Sequence, residues 1–392
     1  MDPDLTALDS SLEESGVDGY LIDADSTDAD QYYLSGFDAP DPFVTLYNGD
    51  IHLLFTRSLE YGRAKKEARA ATVERGSDFD FEAKIDQYGP VEARSRVLAD
   101  FLRAHDVDSV ATPPRFPLQT ADKLREQGIE VTADAAGTVT KVRARKTDEE
   151  IEHIREAQRA NESAMASAEE LIDSAEVNDD GELVVDGAVL TSERVKEEIE
   201  VTLLRHGCAL DETIVACGKN AADPHDRGSG PLVGGEPIIV DIFPRNKSTR
   251  YHADMTRTFC YGEPSETLEE WFELTDSARK AALEAVEPGV ETDVVHGAAC
   301  DIYEEAGLPT LRSDPTTETG FIHSTGHGIG LDVHEMPSVA ESGETLEPGH
   351  VITIEPGLYD PEVGGVRIED LVVVTEDGYE NLTDYDIQLS LG

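Results

Sequence analysis

The chain has 392 residues, 39% of them hydrophobic, with 83 acidic against 32 basic side chains and a formal charge of −51 at neutral pH. That length allows two domains with large cores, and acids spread along the chain argue for a folded protein with an acidic surface. The charge repels phosphate backbones and anionic bilayers, which argues against nucleic acid and membrane partners; it also opposes compaction unless salt screens it, which points to a salt-loving source.

The opening MDPDLTALDS has neither a basic nor an apolar leader region, and no apolar run reaches membrane-spanning length. The four cysteines, at 208, 217, 260 and 300, show no CxxC spacing. A cytoplasmic protein with reduced thiols is therefore expected. In the first third, DGYLID (18–23) reads as a buried strand. FVTLYNGDIHLLF (43–55) reads as a hairpin turning at Asn48-Gly49 with positive φ at both positions. The stretch 91–106 carries helical apolar spacing at Val91, Val97, Leu98, Phe101 and Leu102, and SVATP and IEVTAD read as further strands. None of these stretches clusters histidines, cysteines or paired carboxylates, so this part reads as a support or specificity domain.

A basic linker near 140–147 precedes a long helix, with Thr147 as its cap and Glu150 completing a capping box. EVNDDGELVVDG (176–187) reads as an exposed insertion before a helix at about 191–206. Two similar units follow. GGEPIIVDIFP precedes YHADMTRTF, and LEPGHVITIEPG precedes GVRIEDLVVV, each pair reading as a hairpin with a carboxylate in each strand. Asp241 and Asp254 stand 13 apart, Glu355 and Glu369 14 apart, as in a weak internal duplication.

A carboxylate inside an apolar strand is costly unless paired. Four of them, with few basic residues at hand, call for metal ions. Oxygen ligands with one imidazole favour Mn(II), Fe(II), Co(II) or Zn(II). Four negative charges match two divalent cations, which clamp a water and lower its pKa. IHSTGHGIGLDVHE (322–335) supplies the imidazole: His327 is the chosen ligand, and Gly326, Gly328 and Gly330 allow close backbone approach. Other motifs fail. A zincin helix would need histidine where Ser338 stands, and a dinucleotide fingerprint would need glycine where Leu331 stands. CGKN (217–220) does not complete a phosphate loop, and no base accompanies Cys217 as a nucleophile.

The motifs IIVDIFP, ADMTRTF, STGHGIGLDVHE, ITIEPG and GVRIED, in that order, resemble the pita-bread metallopeptidases, which include methionine aminopeptidase, aminopeptidase P and prolidase. The resemblance implies an α/β (α+β) chain. Residues 1–140 are similar to the N-terminal creatinase/prolidase-like domain, and 141–392 to the pita-bread catalytic domain. It implies that Asp241 chelates one metal, that Asp254 and Glu369 bridge both, and that His327 and Glu355 bind the other. Glu355 would also take a proton from the attacking water. His225 matches a histidine that meets the scissile amide, His334 one that steadies the substrate carbonyl, and His323 an extra histidine of the proline-directed branch. Arg367 matches an arginine that holds carboxylates or meets substrate.

The implied activity is a dinuclear exopeptidase cutting before proline, Mn(II) being the first choice of metal, acting on peptides as a cytoplasmic homodimer. The alternatives are an aminopeptidase of the same fold without proline preference, a peptide-binding protein that has lost catalysis, and a metal-free creatinase-like hydrolase; five intact ligands oppose the last two. Phe243 stands where the family keeps glycine, two residues beyond Asp241, and either narrows the pocket or turns away through a bulge.

Overall fold

Short apolar runs separated by helical spacing fold in the first third into a six-stranded sheet. Its order is Thr72–Arg75, Ile51–Phe55, Phe43–Tyr47, Gly19–Ala24, Ser109–Thr112 and Glu130–Ala133. The computed structural model describes residues 3–341 and 343–392. It divides the chain into a unit Met1–Arg143 and a unit Ala144–Gly392. Within the first unit the helix Pro90–Ala104 lays Val97, Leu98, Phe101 and Leu102 on the sheet, whose Leu21, Val44, Leu46 and Val110 complete the core. The strands flanking Asn48-Gly49 pair as expected, with Tyr47 opposite Ile51, but the loop between them has three residues. Only Gly49 takes positive φ, at 99°. The extra residue, Asp50, removes the need for a left-handed Asn48.

The second unit repeats one arrangement. Helices Asp148–Asp173 and Ser192–Arg205 cover a four-stranded sheet of Thr213–Cys217, Ile238–Ile242, Met255–Tyr261 and Ser390–Leu391. Helices Glu266–Glu284 and Thr292–Glu305 cover a five-stranded sheet of Glu335–Val339, Gly326–Gly328, Val351–Ile354, Asp370–Thr375 and Gly378–Asn381. Each sheet contributes one antiparallel pair bearing carboxylates, with Asp241 opposite Thr256 and Ile354 opposite Asp370.

Three expectations need adjusting. Asp241 alone lies inside a strand; Asp254, Glu355 and Glu369 sit one residue beyond strand ends, where a carboxylate can leave the sheet. Part of the basic linker is helical, Thr138–Ala144. The insertion at 176–187 belongs to a three-stranded sheet whose Leu183 and Val185 are buried in the core, so its alternation is that of a half-buried hairpin.

Thr147 does cap the long helix, its hydroxyl accepting from the Glu150 amide while a Glu150 oxygen accepts from the Thr147 amide. Among the described residues, no helix is long and apolar enough to cross a membrane.

Candidate metal centre

The ends of the two carboxylate pairs meet at His327. Ligand atoms of Asp254, His327 and Glu369 all lie within 4.8 Å of one another. Nε2 of His327 is 3.7 Å from Asp254 Oδ2 and 3.5 Å from Glu355 Oε1. Nδ1 of His327 lies 3.0 Å from the Gly328 carbonyl, which accepts a hydrogen bond from its N–H. That contact assigns the tautomer and leaves the Nε2 lone pair facing the carboxylates, as a ligand requires. The strand carrying His327 is threaded closely: a Cβ at Gly326 would fall 1.9 Å from the Thr353 carbonyl oxygen, and one at Gly328 2.1 Å from that of Met336. These glycines admit neighbouring backbone rather than a ligand.

Burial, and then the charges of Glu369, Asp241 and Glu355, hold the Asp254 carboxyl well above the usual carboxylate range. Burial and the charges of Glu355 and Asp241 do the same to Glu369, and Glu355 is pushed up to about 7, chiefly by burial. Carboxyls so placed keep protons unless cations replace them. Oδ1 of Asp241 is buried with no hydrogen-bond partner among the described residues. A hard donor set with an orphaned carboxylate oxygen fits divalent cations.

Arg367 organises the other side of Asp241. Its Nη2 stands 2.6 Å from Asp241 Oδ2, and its Nε donates to Thr256 Oγ1, which donates to Glu369 Oε2. Nη1 donates to the Tyr359 hydroxyl at 3.0 Å, and that hydroxyl donates to Nε2 of His323, also at 3.0 Å. Nδ1 of His323 donates to the Ser324 carbonyl. Both nitrogens of His323 are thus engaged inside the protein. Burial, then the neighbouring Arg367 charge, lowers its pKa to about 3, which keeps it neutral.

His334 is exposed, and its ring stands edge-on to that of His327 with centroids 4.2 Å apart. Partial desolvation on that side, and then the neighbouring His327, hold its pKa below the usual imidazole value. His225 is exposed, two residues before Arg227. Phe243 lies just past the end of the Asp241 strand, half-buried, with the Arg227 guanidinium 5.8 Å from its ring centroid. His252 is half-buried and stays neutral, its pKa lowered to about 4 mainly by desolvation. Burial pushes the Cys217 thiol up to about 11, which removes it as a nucleophile.

Tyr359, Thr256 and Thr353 are site residues that the sequence reading does not single out. Thr353 donates to Glu355 Oε1 at 3.3 Å and accepts from the His327 amide at 3.1 Å. A hydroxyl at an inward strand position beside the ITIEPG carboxylate is the signal that would have found it.

Comparison with known proteins places the whole chain. The chain is 30% identical over 390 residues to the Xaa-Pro dipeptidase of Pyrococcus furiosus, covering 98% of this chain and 99% of that one. Its fold is similar to the prolidase of Pyrococcus horikoshii OT3, with a TM-score of 0.78 and 26% identity over 98% of this chain and 99% of that chain. An X-Pro aminopeptidase from Thermotoga maritima is similar with a TM-score of 0.79 and 25% identity, over 98% of this chain and all of that chain (100%). Residues 5–145 match the creatinase/prolidase N-terminal domain, residues 152–376 match metallopeptidase family M24, and the chain belongs to that family.

Proposed function

We propose that this protein is an exopeptidase that hydrolyses the bond before proline, with Asp241, Asp254, His327, Glu355 and Glu369 holding two divalent cations. The observation that carries the reading is the convergence of Asp254, Glu355 and Glu369 on the free nitrogen of His327. Family membership implies divalent metal ions. The count of two rests on the donor set, and Mn(II) on its hard oxygens with one imidazole. The names of full-length relatives, Xaa-Pro dipeptidase and prolidase, support the proline preference.

Bound cations there would polarise the scissile carbonyl and acidify the attacking water. The side chains do the rest. Asp254, Glu369, Asp241 through its open Oδ1 and His327 through Nε2 would hold the cations. Glu355, aligned by Thr353, takes the water's proton and passes it toward the leaving nitrogen. His334, exposed beside His327, donates to the carbonyl oxygen as charge develops on it. His225 faces the leaving amide nitrogen. His323 serves by holding Tyr359, and through it Arg367 and Asp241.

Four free cysteines support the cytoplasm as the location, and a homodimer is the proposed assembly, with a peptide as its substrate. The test is hydrolysis of Xaa-Pro dipeptides and of Xaa-Pro-Xaa peptides by chelated protein before and after Mn(II) is restored. Metal-dependent cleavage of dipeptides alone identifies a dipeptidase, and cleavage of both an aminopeptidase. Equal turnover of peptides lacking proline, or none with any metal, overturns the reading.

A further inference from the structure

We infer that Lys146 and Glu335 form a buried positioning pair that sets the place of His334. This rests on the reading of His334 as the donor to the substrate carbonyl. Glu335 follows His334 in the chain, and its Oε1 lies 2.8 Å from Lys146 Nζ, the two side chains being 3% and 1% exposed. Taking both charges out of water costs more than an ordinary surface pair returns, so such a pair tends to be kept for the geometry it enforces.

The surroundings are shaped to hold the pair. A Cβ at Gly330 would fall 1.8 Å from Glu335 Oε1 and 3.0 Å from Lys146 Cε, so the third glycine of GHGIG leaves room for this contact. The Lys146 amide donates to the Gly349 carbonyl at 2.8 Å, and Arg145 bridges to His350, which fix the backbone from which the ammonium reaches. Lys146 directly precedes Thr147, the cap of the long helix.

One turn into that helix, Glu150 uses one oxygen for Thr147 and the other to accept from the Tyr251 hydroxyl at 2.6 Å. Tyr251 leads into His252, whose amide donates to the Gly330 carbonyl at 2.8 Å. The helix start therefore grips two approaches to the site, the one leading to Asp254 and the one bearing His334. With Glu335 turned inward to Lys146, His334 is left exposed and edge-on to His327. The residue next to it is thus held while its own ring remains exposed.

Neither member of the pair is a proposed ligand and Glu335 adjoins His334 in the chain, so loss of the pair should act through His334. The experiment compares Lys146→Met, His334→Ala and the double variant, as full-length chains loaded with Mn(II) in molar KCl. It reads kcat and KM on an Xaa-Pro dipeptide, with bound metal counted for each protein. Lys146→Met should lower kcat by about 10²-fold, the scale of a misplaced catalytic group, with KM and metal content little changed. Added to His334→Ala, it should cost less than about 3-fold further, because residues acting as a unit are not additive. Lys146→Arg should recover part of the rate.

A full, additive loss in the His334→Ala background, or a loss matched by missing metal, overturns the proposal and leaves the reading of His334 intact. A His334→Ala protein with normal kcat refutes that reading, and the pair's role falls with it. Should Lys146→Met fail to fold, Lys146→Met with Glu335→Gln removes both charges and is put through the same cycle.

Discussion

Arg367 Nη2 lies 2.6 Å from Asp241 Oδ2 while Asp241 Oδ1 is buried without a partner among the described residues, so one carboxylate is divided between a guanidinium and an open coordination position. The guanidinium also holds Thr256 and Tyr359, which an ammonium cannot do from one point. Arg367→Lys should weaken metal binding by about 10–100-fold, the range for lost support of a ligand. Chelator competition measures it. Unchanged affinity would show that Asp241 is oriented by the sheet alone.

Glu369→Gln or Asp254→Asn should abolish nearly all hydrolysis, since each carboxylate is proposed to serve both ions. Folding in high salt should survive, because each change removes one of several mutually repelling buried carboxyls. Elemental analysis paired with peptide hydrolysis decides the matter: two retained metals with intact turnover would sink the bridging assignment.

Removing metal should make stability fall as pH rises. Asp254, Glu355 and Glu369 have carboxyls raised by burial and by one another, Glu355 from 4.5 to about 7. An acid whose folded pKa exceeds its unfolded value stabilises the fold fully below the unfolded value, and the contribution is lost as pH climbs through the folded one. Metal-free protein should therefore lose melting temperature from about pH 5 to 8, more steeply than metal-loaded protein, in which cations stand in for the protons. Parallel curves for the two forms would refute this.

Phe243→Ala should relax selectivity against bulky residues beside the scissile bond. Phe243 is half-buried beside Arg227, at the end of the Asp241 strand, and so is not a fully buried core side chain. One methylene in a tight pocket is worth roughly 10–200-fold, which sets the scale of the change in kcat/KM across Xaa-Pro substrates of rising Xaa size. An unchanged size profile together with a large fall in melting temperature would mean that the ring is a packing element.

Melting temperature should rise from low salt to molar KCl. With a net charge of −51, acidic groups repel over about 30 Å at 0.01 M ionic strength and only about 3 Å at 1 M. A flat or falling curve would reject the salt-adapted reading.

The proposed ligands are legible in the sequence because a carboxylate in or beside an apolar strand is expensive and shows against its surroundings. Glycines around His327 mark crowding, although the crowding comes from the Thr353 and Met336 carbonyls. The network behind the ligands is not legible. Tyr359 reads as one more buried aromatic until the fold brings it between Arg367 and His323, residues 8 and 36 positions away. Likewise, nothing in the interval from Glu355 to Glu369 announces that a separate hairpin, Gly357–Asp360 with Gly364–Arg367, fills it and delivers Arg367. Asn48-Gly49 predicts a turn from local preference, but its length is set by the pairing of Tyr47 with Ile51.

The glycine strand has a consequence for how this enzyme can diversify. With neighbouring carbonyls about 2 Å from where Cβ atoms at Gly326 and Gly328 would stand, that wall accepts no new side chain without displacing His327. Libraries aimed at new substrates would waste variants there. The accessible ground is at Phe243 and Arg227, half-buried and exposed side chains that touch each other and are none of the proposed ligands.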